Sequence, residues 1–446
     1  MTDTGSSVTD RVRLIAQDVL TQDEQDTWHS PGVVDVVDGR IAHVGPLHDA
    51  PAVDDTMRTV RLDGALLPGF VNIHAHTPMT LLRGAGEGLP VDRWLQEVMW
   101  PREARLTPED VERGMTAGAV QLLTGGVTTT SEMYFQPDRV AAGAVAAGLR
   151  CIVAPPILVV EGLDAVLGTW QDQLEAALAF ADRHRGSTLI EGGIGPHAPY
   201  SVPEETLRAV GAAAAEHDLL LHIHLAEQRD EDAAIRAAHG SSATRLLEDL
   251  GVLEARTVAA HGVWLEPDDI DLLAARGAGV AHCPCSNGKH ASGVAPVVEL
   301  RAAGVPVGIA TDGPASHDRL DLFEEMRTAL RLARIRGSDA SALTARDALA
   351  MVTRDAARAL GRDDLGMIAV GRRADLIHVD TTDPDLAPVS EREDLRTNLV
   401  WSGSPRLVQD VWVEGAHVVR GGAHVDHEAG ALAAEITVRA RRLAAP

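Results

Sequence analysis

Histidines and carboxylates recur in this chain at the ends of short apolar runs. The first such run ends in His74-Ala75-His76. In an extended segment residues i and i+2 share a face, so both imidazoles point the same way and make a natural pair of metal ligands. Alone, the pair would equally suit two hydrogen-bonded core histidines. It is not alone: later runs end in His222-Ile223-His224-Leu225-Ala226-Glu227, in His261-Gly262 and in Thr311-Asp312-Gly313. Imidazoles and a carboxylate brought to one point suit Zn²⁺ or another borderline divalent ion.

A metal with an open position acidifies water to about pH 7 and so makes a nucleophile. Glu227, three residues past His224, is placed to shuttle protons rather than to ligate. Asp312 can accept the water's proton, and His261 can orient the water or polarise the substrate. Binuclear hydrolases on barrels usually bridge their metals with a carboxylated lysine after the fourth strand. Here the fourth run ends in Gly195-Pro196-His197-Ala198-Pro199, and the sole lysine, Lys289, follows the seventh. One zinc ion per subunit is therefore expected.

Such residues must be positioned by a scaffold. Eight apolar runs, 66–74, 127–135, 150–158, 189–195, 219–225, 258–261, 279–283 and 305–311, alternate with Ala/Leu-rich helical stretches. Thr107-Pro108-Glu109-Asp110 reads as an N-cap followed by proline, with Gly125-Gly126 at the far end. Glu266-Pro267-Asp268-Asp269 opens another helix that Gly277 closes. Eight buried strands, each followed by a helix, predict a (β/α)₈ barrel, whose chemistry sits at the carboxyl ends of the strands. A doubly wound open sheet is the structural alternative. Strand-like runs at 12–20, 32–37 and 40–44 and again at 374–379, 407–413 and 417–419 flank the barrel, with Asp38-Gly39 and Glu414-Gly415 as turns. They predict a small discontinuous β-sandwich from residues 1–64 and 370–446, the latter with a terminal helix, around a barrel over 65–369. Independent terminal modules are the alternative.

The run Pro68-Gly69-Phe70-Val71-Asn72-Ile73-His74-Ala75-His76-Thr77-Pro78-Met79-Thr80-Leu81-Leu82-Arg83-Gly84 resembles the opening of the amidohydrolase superfamily, in its 5-methylthioadenosine/S-adenosylhomocysteine deaminase branch. Trp100-Pro101-Arg102-Glu103-Ala104, His197-Ala198-Pro199-Tyr200, the 222–227 run, the 282–289 run and Thr311-Asp312-Gly313 continue the likeness in order. The resemblance implies that His74, His76, His224 and Asp312 bind zinc. It further implies that Glu103 holds the ribose hydroxyls, that His197 contacts the nucleoside and that Glu227 moves protons at the purine ring. Trp94 and Trp100 either stack on the purine or pack their loop on the barrel. The implied reaction replaces the 6-amino group of an adenine nucleoside with oxygen and releases ammonia. A guanine, pterin or s-triazine aminohydrolase or chlorohydrolase is the alternative.

One departure bears on substrate. Members that accept S-adenosylhomocysteine are expected to hold its carboxylate with an arginine after the third strand, where this chain reads Ala154-Pro155-Pro156-Ile157-Leu158. A desolvated carboxylate needs a charge-assisted partner, so a small or neutral 5′ group is expected unless Arg83 or Arg150 substitutes. Cys283-Pro284-Cys285 lacks distant cysteine partners and reads as structural. The 446 residues are 45% hydrophobic and 24% charged with a net charge of −25. A surface this acidic argues against nucleic-acid or membrane-surface partners. Three cysteines and a polar Met1–Asp10 without an apolar segment suit a cytoplasmic protein, and a homo-oligomer is expected.

Overall fold

The computed structural model describes residues 11–53, 55–159 and 168–444. The expectation for Met1–Asp10 lies outside these. Eight parallel strands form the barrel sheet: β1 (Phe70–Ala75), β2 (Val127–Glu132), β3 (Arg150–Val153), β4 (Ile190–Pro196), β5 (Leu220–Leu225), β6 (Thr257–His261), β7 (Gly279–His282) and β8 (Val307–Ile309). Neighbours in sequence are hydrogen-bonded neighbours in space, apart from a two-residue strand, Pro156–Ile157, that pairs with the end of β4. Nearly every position of these strands is buried, as helices outside and side chains inside require.

The seam between β1 and β8 is closed by a few specific bonds rather than by a long ladder. The Asp312 N–H donates to the His74 carbonyl at 3.1 Å. The Asn72 amide clamps Thr311 from both sides, its oxygen accepting the Thr311 N–H at 3.0 Å and its nitrogen donating to Oγ1 at 2.9 Å.

Helix signals are where the sequence puts them. Thr107 and Asp110 cap Pro108–Thr124 reciprocally, and Glu266 and Asp269 do the same for Pro267–Arg276, which ends at Gly277 in the left-handed region (φ 65°). The chain ends build a second sheet in which Arg58–Pro68 lies between Arg11–Leu20 and Leu376–Val379. Three expected strands are corrected. Residues 66–68 belong to this second sheet, and the chain passes to β1 at Gly69, where a Cβ would stand 2.1 Å from Thr128 Oγ1. The 150–158 run breaks at Ala154-Pro155, because Pro155 has no N–H for the ladder. The eighth strand keeps only three ladder residues, the Asn72 clamp taking over at Thr311.

Replacing Asn72 with alanine leaves the buried Thr311 N–H without its partner and should cost about 1–3 kcal/mol. Urea unfolding would read this as a lowered midpoint at unchanged slope; an unmoved midpoint would contradict the clamp.

Candidate active site

Three imidazoles present one nitrogen each to the same point and spend the other on support. His76 Nδ1 donates to the Met133 carbonyl at 2.6 Å and His224 Nδ1 to the His197 carbonyl at 2.8 Å. Carbonyl oxygens can only accept, so both rings carry their proton on Nδ1 and leave a lone pair on Nε2. His74 Nδ1 lies 2.8 Å from His222 Nε2, and His222 Nδ1 lies 3.2 Å from Ser131 Oγ. His74 Nε2 is buried without a hydrogen-bond partner.

The free nitrogens of His74 and His76 close on Asp312, and that of His224 closes on His76. His74 Nε2 and His76 Nε2 stand 3.4 and 3.3 Å from its Oδ1, and His224 Nε2 stands 3.4 Å from His76 Nε2. A tetrahedral ion with bonds near 2.0–2.1 Å spaces its ligands by roughly 3.3 Å. The four donors therefore fit zinc. Asp312 Oδ2 is fixed by hydroxyls of Ser286 and Ser316 at 2.6 and 2.7 Å, and Oδ1 accepts the Gly313 N–H at 2.7 Å.

Burial keeps these rings uncharged. His74 and His197 are pushed down to about 4 from an ordinary 6.5 by desolvation, and His222 and His224 are lowered well below it by burial and by the neighbouring imidazoles of His74, His76 and His261. Neutral imidazole is the ligating form. Asp312 is buried yet held well below the usual carboxylate range by His74 and the neighbouring imidazoles.

His261 lies against the same centre. Its Nδ1 meets the Asn287 amide oxygen at 2.9 Å, and its Nε2 stands 3.8 Å from Glu227 Oε2. Glu227 Oε1 accepts from Gln228 Nε2 at 3.2 Å. Three residues at strand ends take the left-handed backbone region: Ala226 (φ 51°) after β5, His261 (φ 73°) ending β6 and Asp312 (φ 56°) after β8. Each costs on the order of 1–3 kcal/mol, and each turns the chain beside the donor cluster.

The pocket in front of these donors is walled by Trp94, Trp100, Leu158, Tyr134, Phe135 and Tyr200. Glu103 and His197 also line it. Glu103 accepts the Tyr134 hydroxyl at 2.8 Å, and its carboxyl is raised by desolvation. His197 Nδ1 meets Ser201 Oγ at 2.7 Å. Trp94 also ties its own loop down through Nε1 to the Ala85 carbonyl at 3.0 Å.

Neither substitute arginine reaches the pocket. Arg150 is buried between Asp375 and Glu414, at 2.9 and 2.6 Å, because β3 begins at the far end of the barrel. Arg83 points to Gln121. Lys289 donates to the Ala315 carbonyl at 3.0 Å and to Asp318, and so props the turn after Asp312. Spacing did not reveal Tyr134, Ser286, Ser316 or Asn287. Ser286 and Asn287 fall in the 282–289 run that carries the family likeness and Tyr134 lies two residues past β2, whereas Ser316 has no such signal.

The histidine cluster sets a pH response. Its folded pKa values lie below the unfolded value, so the metal-free fold binds fewer protons than the unfolded chain. The stability it confers is full above about 6.5 and is lost as pH falls towards about 4. Denaturant midpoints of metal-free protein should fall between pH 7 and pH 5, before most carboxylates titrate. A flat profile over that window would contradict the neutral cluster.

The amidohydrolase family matches residues 65–418. A 5-methylthioadenosine/S-adenosylhomocysteine deaminase of Pelotomaculum thermopropionicum is 38% identical over 95% of this chain and 97% of its own. A 5′-deoxyadenosine deaminase of Methanothermobacter thermautotrophicus is 38% identical over 91% and 95%. Among solved structures, an adenosine deaminase from Xanthomonas campestris with bound zinc superposes with a TM-score of 0.91 at 35% identity, over 97% of this chain and 98% of that one. With its donors, barrel and full-length relatives in agreement, the chain belongs to the amidohydrolase family.

Proposed function

We propose that this enzyme is a zinc-dependent deaminase of adenine nucleosides with a small, neutral 5′ group, such as 5′-methylthioadenosine or 5′-deoxyadenosine. The carrying observation is the pocket itself. It has the zinc donors and Glu227 at one end, Glu103 on its wall, and no lysine or arginine among the described residues that line it. The carboxylate of S-adenosylhomocysteine would enter it without a cationic partner.

His74, His76, His224 and Asp312 would hold the ion. When bound, zinc supplies a nucleophile near neutral pH by acidifying water. The chain's own groups do the rest. Glu103, with one oxygen occupied by Tyr134, accepts from the ribose hydroxyls through the other. Trp94 and Trp100 exclude water from the purine faces, and neutral His197 hydrogen-bonds the base. Asp312 takes a proton from the attacking water, and His261 orients that water. Glu227 protonates the ring nitrogen beside the amino-bearing carbon. Water adds to that carbon, Asp312 passes its proton to the amine, the new hydroxyl returns a proton to Glu227 as the carbonyl forms, and ammonia leaves.

Ammonia release from a panel of 5′-modified adenosines, S-adenosylhomocysteine, guanine and an aminotriazine tests the reading. The small neutral nucleosides should show the highest kcat/KM, and Glu227→Gln should keep its zinc while losing about 10²–10⁴ in kcat. Turnover of the triazine or guanine alone would overturn it. Equal use of S-adenosylhomocysteine would overturn the 5′ assignment.

A further inference from the structure

Behind Asp312 lies a second group of potential ligands that the reaction leaves unused. Cys285 comes from the short helix Pro284–Lys289, His317 from the turn after Asp312, and Glu325 from the first turn of the helix Leu322–Gly337. A sulfur, an imidazole nitrogen and a carboxylate oxygen from these three lie within 4.8 Å of one another. Glu325 is wholly buried, His317 is 8% exposed and Cys285 is half-buried.

The hydrogen bonding around them is incomplete. Glu325 Oε2 accepts the Cys285 N–H at 3.0 Å, and Cys285 Sγ donates to Thr328 Oγ1 at 3.3 Å. Glu325 Oε1 stands 2.9 Å from His317 Nδ1, yet the two are not aligned as donor and acceptor. Both atoms, and His317 Nε2 as well, are buried without a hydrogen-bond partner. Buried orphans of this kind are costly and call for an ion or a water. The two form a close ion pair off the hydrogen-bonding axis, and the same two atoms are disposed like two ligands of one cation. A tetrahedral ion spaces its N, O and S donors by roughly 3.3–3.8 Å, which small side-chain shifts would supply here. Thiolate and carboxylate would also cancel a charge of +2 in a dry site.

We propose that Cys285, His317 and Glu325 bind a second transition-metal ion of the zinc type, separate from the one held by His74, His76, His224 and Asp312. This ion pins the turn after Asp312 to the helix Leu322–Gly337. Ser286 and Ser316, the chain neighbours of Cys285 and His317, both donate to Asp312 Oδ2, so the pin steadies the catalytic aspartate's supports. It requires no particular substrate.

Cobalt titration of the metal-free full-length protein tests this without an activity readout. Two equivalents per chain should bind after equilibrium dialysis. A thiolate-to-cobalt charge-transfer band should appear in the near ultraviolet, because the other ligand set contains no sulfur. Cys285→Ser should abolish the band and one equivalent while keeping the other. A single equivalent without the band in the unaltered protein would overturn the proposal, whether or not the variant folds. So would a band that survives Cys285→Ser.

Discussion

One backbone hydrogen bond carries two jobs in this molecule. The Asp312 N–H to His74 carbonyl contact joins the last barrel strand to the first. It also fixes the 3.4 Å between His74 Nε2 and Asp312 Oδ1, because His74 and Asp312 are the residues it connects. Barrel closure and ligand spacing are thus a single constraint. An open sheet of the same strands would leave β1 and β8 at opposite edges, with the donors far apart. The Asn72 clamp on Thr311 serves the same end one residue earlier.

The site is stabilised from outside rather than from within. Three bare nitrogens, a carboxylate and three left-handed residues at strand ends are each unfavourable in isolation. Around them sit the Met133 and His197 carbonyls, His222, Ser286 and Ser316, which orient every donor. Such supports raise metal affinity by holding rings in place before the ion arrives. The apolar wall then keeps the imidazoles neutral, which a solvated cluster would not.

Much of this was legible in the sequence because periodicity is a local property. The i, i+2 spacing of His74 and His76 and of His222 and His224 names a strand and a face. The caps at Thr107 and Glu266 name helix starts. Partners distant in the chain have no such signal. Nothing in Arg150 announces Asp375 and Glu414, and nothing in Cys285 announces His317 and Glu325. Strand limits failed for a different reason: Gly69 and Pro155 lie within apolar runs, and hydrophobicity alone does not see that one permits a close crossing and the other removes a donor.

Diffraction at the zinc absorption edge from zinc-loaded crystals bears most directly on the central claim. One anomalous peak should stand about 2.0–2.2 Å from the Nε2 atoms of His74, His76 and His224 and from Asp312. No companion should lie within the roughly 3.5–4 Å of a two-metal centre. The absence of a peak at these four groups, or a bridged pair of peaks among them, would contradict the account.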